Sequence, residues 1–255
     1  GAQYAQLIAR KIRECKVYSE IVPSTITAGE VSGSGARGLV LSGGPASVYE
    51  ADAPRIDPEL LNVSVPVLGI CYGHQLLAFT LGGGVSPADK REYGRTELEV
   101  EEGSLLFSGL DQRLVCWMSH GDVVTGVPPG FTATARSSNC PVAAMENTQR
   151  HQYGVQFHPE VAHTPWGKQL LSNFLHEACG CSGEWTPESI VRRRVEEIRQ
   201  QVRAGRVLCG VSGGVDSVTT AALVHRAVGE RLTCVFVDHG FLRQGEAAEV
   251  RQAFE

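Results

Sequence analysis

The chain has 255 residues, 42% hydrophobic and 20% charged, which is enough for one large or two ordinary domains with a substantial core. A net charge of −5 argues against a broad basic surface for nucleic acid. No stretch approaches the roughly 20 apolar residues of a membrane span, and no secretory signal opens the sequence. The eight cysteines, at 15, 71, 116, 140, 179, 181, 209 and 234, form no C-x-x-C pair. Cys116, Cys209 and Cys234 fall inside apolar, strand-like runs, so a reduced cytoplasmic protein is expected rather than a disulfide framework. Cys179-Gly-Cys181 is too closely spaced, and too isolated, for a zinc site.

In chain order, Gln3 to Glu14 reads as an amphipathic helix and Val17 to Val22 as a short strand. Gly38 to Ser42 is a short continuous apolar run ending in Ser42-Gly43-Gly44-Pro45. Val65 to Ile70 is another, leading into a helix from Gly73 to Leu81 that Gly82-Gly83-Gly84 terminates. Continuous apolar runs alternating with helices predict a parallel sheet covered on both faces. Several short runs between Thr96 and Phe157 read as largely antiparallel strands, and Gly167 to Ala178 as a closing helix. Residues 179–187 are turn-rich and form the expected linker between a first domain, 1–178, and a second, 188–255. The second opens with Thr186 as N-cap and Pro187 in the first turn of a helix running to about Val202. Arg206 to Val211, a Gly-rich turn, a helix to His225 or beyond, and Leu232 to Val237 then make one βαβ unit.

Cys71 sits in Val65-Pro-Val-Leu-Gly-Ile-Cys71-Tyr-Gly-His-Gln75, where an apolar strand breaks into a helix between Gly69 and Gly73. The following helix aims its N-terminal amides at the sulfur, which favours thiolate over thiol. Taken alone, the residue reads equally well as a small buried hydrophobe. The second half of the pattern is Tyr153-Gly-Val-Gln-Phe-His158-Pro-Glu160. Two positions apart in an extended run, His158 and Glu160 face the same way and form a base with its orienter. On its own, His-Pro-Glu could be a capped surface turn. The histidines at 74, 151, 163, 176 and 225 have no local partner pattern and read as structural or surface residues.

Together, Gly69-Ile-Cys71-Tyr-Gly73-His-Gln75 and His158-Pro-Glu160 resemble class I glutamine amidotransferases. The resemblance implies that Cys71 attacks the side-chain amide of glutamine, His158 passes a proton to the departing ammonia, and Glu160 orients His158. It implies an oxyanion hole from the backbone N–H groups of Gly44 and Tyr72, glutamine contacts from Gly73 and Gln75, and a glutamine-pocket loop Ser119-His120-Gly121-Asp122. No cofactor is implied for this step.

The turn Ser212-Gly213-Gly214-Val215-Asp216-Ser217 lacks the lysine of a Walker loop, yet its glycines and hydroxyls at a helix start make an anion cradle. An alternative is that Ser212 merely caps the helix. The motif resembles the pyrophosphate loop of ATP pyrophosphatases, implying ATP as ligand and Asp216 as a carboxylate for Mg2+. Val218 departs from the usual serine or threonine that follows it. Val237-Asp238-His-Gly-Phe-Leu-Arg243 resembles the next segment of glutamine-hydrolysing GMP synthetases, implying that Val237 and Arg243 approach the nucleotide.

The fold class expected is therefore α/β: a class I amidotransferase domain with a mainly parallel open sheet, flanking helices and added antiparallel strands, then the start of an adenine nucleotide α-hydrolase-like domain. The GMP synthetase layout implies glutamine, ATP and XMP as substrates, and a cytoplasmic homodimer with no nucleic-acid or membrane partner. It further implies an opening strand ahead of Gly1. The xanthylate site and dimer interface are implied beyond Glu255. Other expectations left open are an amidotransferase serving a different acceptor, as in the anthranilate or carbamoyl phosphate systems, and a catalytically silent regulatory partner.

Overall fold

The computed structural model describes residues 4–237 together with Gly245, Ala248, Val250 and Gln252. The chain divides into two compact units, Gly1–Glu184 and Trp185–Glu255.

The first unit opens with α1 (Ala5–Glu14), which buries the stripe Ile8, Ala9 and Ile12. Residues 17–22 form no strand. Tyr18, Ile21 and Val22 are exposed, and the segment bonds back to α1 through Arg13 to the Ser19 carbonyl (2.7 Å) and the Ser19 hydroxyl to the Ala9 carbonyl (3.0 Å). Apolar, β-branched residues without a ladder partner do not make a strand. Next come α2 (Ala28–Gly33), started by a capping box of Thr27 with Glu30, and the strands β1 (Leu39–Leu41) and β2 (Val67–Ile70). After them, α3 (Tyr72–Thr80) leads into β3 (Gly84–Val100), β4 (Arg113–Gly126), β5 (Thr132–Arg136), β6 (Ala144–Asn147) and β7 (Gln152–Val155). The closing helix α4 (Gly167–Asn173) continues as a wider π-type turn through Ala178.

The seven strands form one sheet in the order β1-β2-β7-β6-β5-β3-β4. The β1–β2 and β2–β7 pairings are parallel, and the other four are antiparallel. The expectation of a mainly parallel sheet is thus corrected to a mixed one. After α3 the strands up to β7 return as antiparallel neighbours, which need no helical crossover. Alternation along β2 sends Leu68 and Ile70 into one core layer with Ile8, Ile12, Phe157, Leu170 and Phe174. Val67 goes into the other, with Leu76, Leu77, Val85, Val124 and Met145.

In the second unit, α5 (Pro187–Val202) is capped by Thr186, whose hydroxyl accepts from the Ser189 N–H. β8 (Val207–Val211), α6 (Val215–Val228) and β9 (Leu232–Phe236) follow, with β8 and β9 paired in parallel. Val195, Ala227 and Val228 form its small core, while Leu208 and Val235 on the sheet are exposed.

Candidate active site

β2 is buried along its whole length and stops at Ile70. Cys71 then adopts φ 53° and ψ −107°, a conformation a side chain rarely tolerates, and its N–H donates to the Val155 carbonyl of β7 at 2.8 Å. The flanking glycines make so tight an elbow possible. A Cβ on Gly69 would lie 2.5 Å from the Gly73 carbonyl oxygen, and one on Gly73 only 2.1 Å from that of Leu41. No side chain caps α3, so its first N–H groups remain open beside the sulfur. Gly73, expected as a glutamine contact, also lets α3 pack onto the sheet, because a Cβ there would point at β1.

Beyond β7 the chain runs through Gln156 and Phe157 to His158, whose N–H donates to the Trp117 carbonyl of β4 at 3.1 Å. His158 Nδ1 lies 2.8 Å from Glu160 Oε1, with both residues buried. They meet across a turn rather than along a strand, so the pair is the expected one but its local geometry is not. Burial pulls the imidazole pKa down, but hydrogen bonds and charge from Cys71 and Glu160 outweigh it and raise it to about 10. His158 therefore holds a proton at neutral pH, bonded at Nδ1 to Glu160 and interacting with Cys71. The Tyr4 ring lies against the imidazole with centroids 5.3 Å apart.

Gly43 and Gly44 lie on the other side of the elbow. A Cβ on Gly44 would meet only the Tyr72 side chain, at an ordinary 3.8 Å, so no side-chain obstruction arises there within the protein. The tight position is Gly43, where a Cβ would be 3.2 Å from His158 Cε1 and 3.3 Å from Cys71 Cβ.

The Ser119–Asp122 segment is not a loop but part of β4. Opposite it the register of β3 slips between Pro87, paired with Asp122, and Glu92, paired with His120. The Ser119 carbonyl accepts from the Cys71 thiol at 3.6 Å. His120 Nε2 is 3.2 Å from Glu92 Oε2, and Glu92 also accepts from Ser137 and Asn139. Burial lowers the His120 pKa despite the Glu92 charge. Gln75 is buried, and its Nε2 donates to the Asp122 carbonyl at 2.7 Å and to Gln156 Oε1 at 3.2 Å. The side chains of Gln75 and His120 are thus engaged inside the protein.

The sequence model of the family described as glutamine amidotransferase class-I matches residues 1–178. The chain belongs to the class I glutamine amidotransferases. It is 56% identical to a GMP synthase (glutamine-hydrolyzing) of Thermobifida fusca over 254 residues, 100% of this chain and 48% of the relative. It is 52% identical to one of Carboxydothermus hydrogenoformans over 255 residues, 50% of that protein. The chain spans about half the length of the curated relatives it matches. A solved Thermoplasma acidophilum protein, provisionally described as one component of a GMP synthase, is 36% identical with a TM-score of 0.61, covering 71% of this chain and 90% of that one. A Thermotoga maritima glutamine amidotransferase shares the fold, with a TM-score of 0.56, 20% identity, and coverage of 69% of this chain and 92% of its own.

In this amidotransferase the matched region stops at residue 178, and the described residues beyond it do not make up an ATP pyrophosphatase domain. In the second unit, Gly213 has φ +82°, which glycine supplies without strain. Ser212 does not cap α6: the N-cap is Gly214, with no side-chain bond, and Ser212 Oγ accepts from the Gly214 N–H at 3.4 Å. The Ser217 hydroxyl accepts from the Ser212 N–H (3.1 Å) and lies 3.2 Å from Ser212 Oγ. Val215 and Asp216 are exposed in the first turn, and Val237 is exposed just past β9. Arg243 lies outside the described residues. Among the described residues no three histidine, cysteine or acidic side chains converge on one point. A Mg2+ ion at Asp216 would therefore take most of its ligands from phosphates and water, as this ion commonly does. No described helix is long and apolar enough to cross a membrane.

Sequence reasoning passed over Gly43, Glu92, Tyr4 and Gln156. Gln156 had a local signal, a long polar side chain inside an apolar run. Glu92 had none, because only the β3–β4 register brings it to His120.

Proposed function

We propose that the first unit hydrolyses glutamine at Cys71 and that the ammonia released aminates XMP to GMP. The observation that carries the reading is the meeting of a cysteine at a strained, helix-opening elbow with a buried, hydrogen-bonded His158–Glu160 pair. Cys71, as thiolate, attacks the side-chain carbonyl carbon of glutamine and forms a C–S bond. The backbone N–H groups of Gly44 and Tyr72 receive the oxyanion. His158 gives its proton to the nitrogen as the C–N bond breaks, leaving ammonia and a glutamyl thioester. Water, losing a proton to His158, then cleaves the thioester to glutamate. Glu160 holds the imidazole orientation throughout. The pocket for glutamine is assigned to the segment from Ser119 through His120 and Gly121 to Asp122, with Gln75 bracing it from α3.

The acceptor half rests on two supports: relatives over 50% identical carry the name GMP synthase, and the Ser212–Ser217 loop leaves the start of α6 open for an anion. In this reading the loop takes the pyrophosphate of ATP, with Asp216 toward Mg2+ and Val237 and Arg243 toward the nucleotide. ATP adenylates XMP, and ammonia displaces AMP. The whole enzyme is proposed to be a cytoplasmic homodimer acting on small molecules. The test uses the full-length protein with Cys71→Ala. Glutamine-dependent GMP formation should vanish while ammonium-dependent formation persists. Equal loss of both would overturn the division of labour.

A further inference from the structure

Gln156 has no solvent exposure, so each polar atom of its amide must find a partner inside the protein. The surrounding bonds fix which end faces where. The Asp122 carbonyl can only accept, so the atom of Gln75 that touches it at 2.7 Å is Nε2. The same Nε2 donates its second hydrogen to Gln156 at 3.2 Å, which makes the receiving atom Oε1. Gln156 Nε2 is thereby turned to the Cys71 sulfur, 3.9 Å away. Flipping Gln75 would set its oxygen against the Asp122 carbonyl, and flipping Gln156 would set an N–H against an N–H. A backbone carbonyl on β4 thus sets, through two side chains, the direction of a donor at the reactive atom.

We propose that Gln156 is a hydrogen-bond donor to the Cys71 thiolate, aimed by Gln75, and that this donor favours the nucleophilic form of the sulfur. The proposal rests on Cys71 being the nucleophile. Two neutral contacts on the sulfur pull in opposite directions. The Ser119 carbonyl accepts the thiol proton and favours the thiol, whereas the Gln156 N–H is satisfied best by negative sulfur. The same donor would also face the sulfur when it leaves the thioester as thiolate. The titratable groups around this centre are His158 with Glu160 behind it, and His120 on β4 with Glu92 opposite it on β3. None of them is altered by removing the Gln156 amide.

The test is the pH dependence of Cys71 alkylation by iodoacetamide, followed by mass spectrometry of the Cys71 peptide in the 255-residue chain. Gln156→Met keeps the length and removes the donor, and Gln156→Glu replaces it with a carboxylate. In the methionine variant the alkylation curve should move up by about one pH unit. The glutamate variant should move it further. Curves that superimpose on the parent overturn the role of Gln156. A parent Cys71 no more reactive than an ordinary thiol overturns the nucleophile reading itself, so the two failures are distinct. If neither Gln156 variant folds, Gln75→Met carries the test, since it frees the Gln156 amide without touching the sulfur. An upward shift supports the proposal and an unchanged curve overturns it.

Discussion

Gly43 and His158 are so closely apposed that a single added carbon on the glycine would stand 3.2 Å from the imidazole Cε1. The same carbon would press on Cys71. Gly43→Ala should therefore push the two groups apart by a few tenths of an ångström and lower glutaminase kcat by about tenfold, because reacting groups tolerate little misplacement. Gly44→Ala keeps its backbone N–H and meets only Tyr72 at normal contact distance, so it should lose much less. Steady-state glutaminase rates of the two variants, each checked for an unchanged melting temperature, decide this; a larger loss for Gly44→Ala would contradict it.

The elbow also stores strain. Glycine normally costs about 1 kcal/mol relative to alanine at a regular helical position. At Cys71, with φ 53°, the order should reverse. Cys71→Gly is expected to be at least as stable as Cys71→Ala by urea denaturation, although both lack the thiol.

Gly73 distinguishes packing from binding. A Cβ there would be 2.1 Å from the Leu41 carbonyl oxygen, a clash with backbone that cannot swing aside. Gly73→Ala should destabilise the first unit by about 3 kcal/mol or more, measured by chemical denaturation. A variant of normal stability would contradict the packing role.

Two buried histidines give stability a maximum in pH. Burial lowers the His74 pKa to about 4, against the pull of its bond to the Val142 carbonyl. The unfolded chain then binds more protons than the folded one between about 4 and 6.5, and stability rises with pH across that window. His158, with its pKa raised to about 10, does the reverse: its contribution is complete below about 6.5 and fades as pH climbs to 10. Urea midpoints should peak near the ordinary imidazole pKa. His74→Gln should flatten the acid limb and His158→Gln the alkaline one; unchanged limbs would contradict the assignment.

Most of the centre could be read from sequence because its parts are local. An apolar run between two glycines announces the elbow, and a histidine two residues from a glutamate announces a pair. What escaped was set by register and partner. The strand β3 includes Pro87 and Gly94, residues poor for a strand, and β4 imposes their extended form by pairing them with Asp122 and Met118. Conversely, residues 17–22 have strand composition and no ladder. Gln156 escaped because an amide in an apolar run looks like a packing detail until its partners are known.

The sheet order has a consequence for how the protein is made. β7 is the last strand of the first unit to be synthesised, yet it lies in the interior of the sheet, between β2 and β6. Its far end carries Gln156, His158 and Glu160 to Cys71. Until that strand inserts, β2 and β6 each expose an edge, and Cys71 is an ordinary thiol with neither donor nor base. Closing the sheet and arming the nucleophile are therefore one event, and a chain caught part-way through folding cannot waste glutamine.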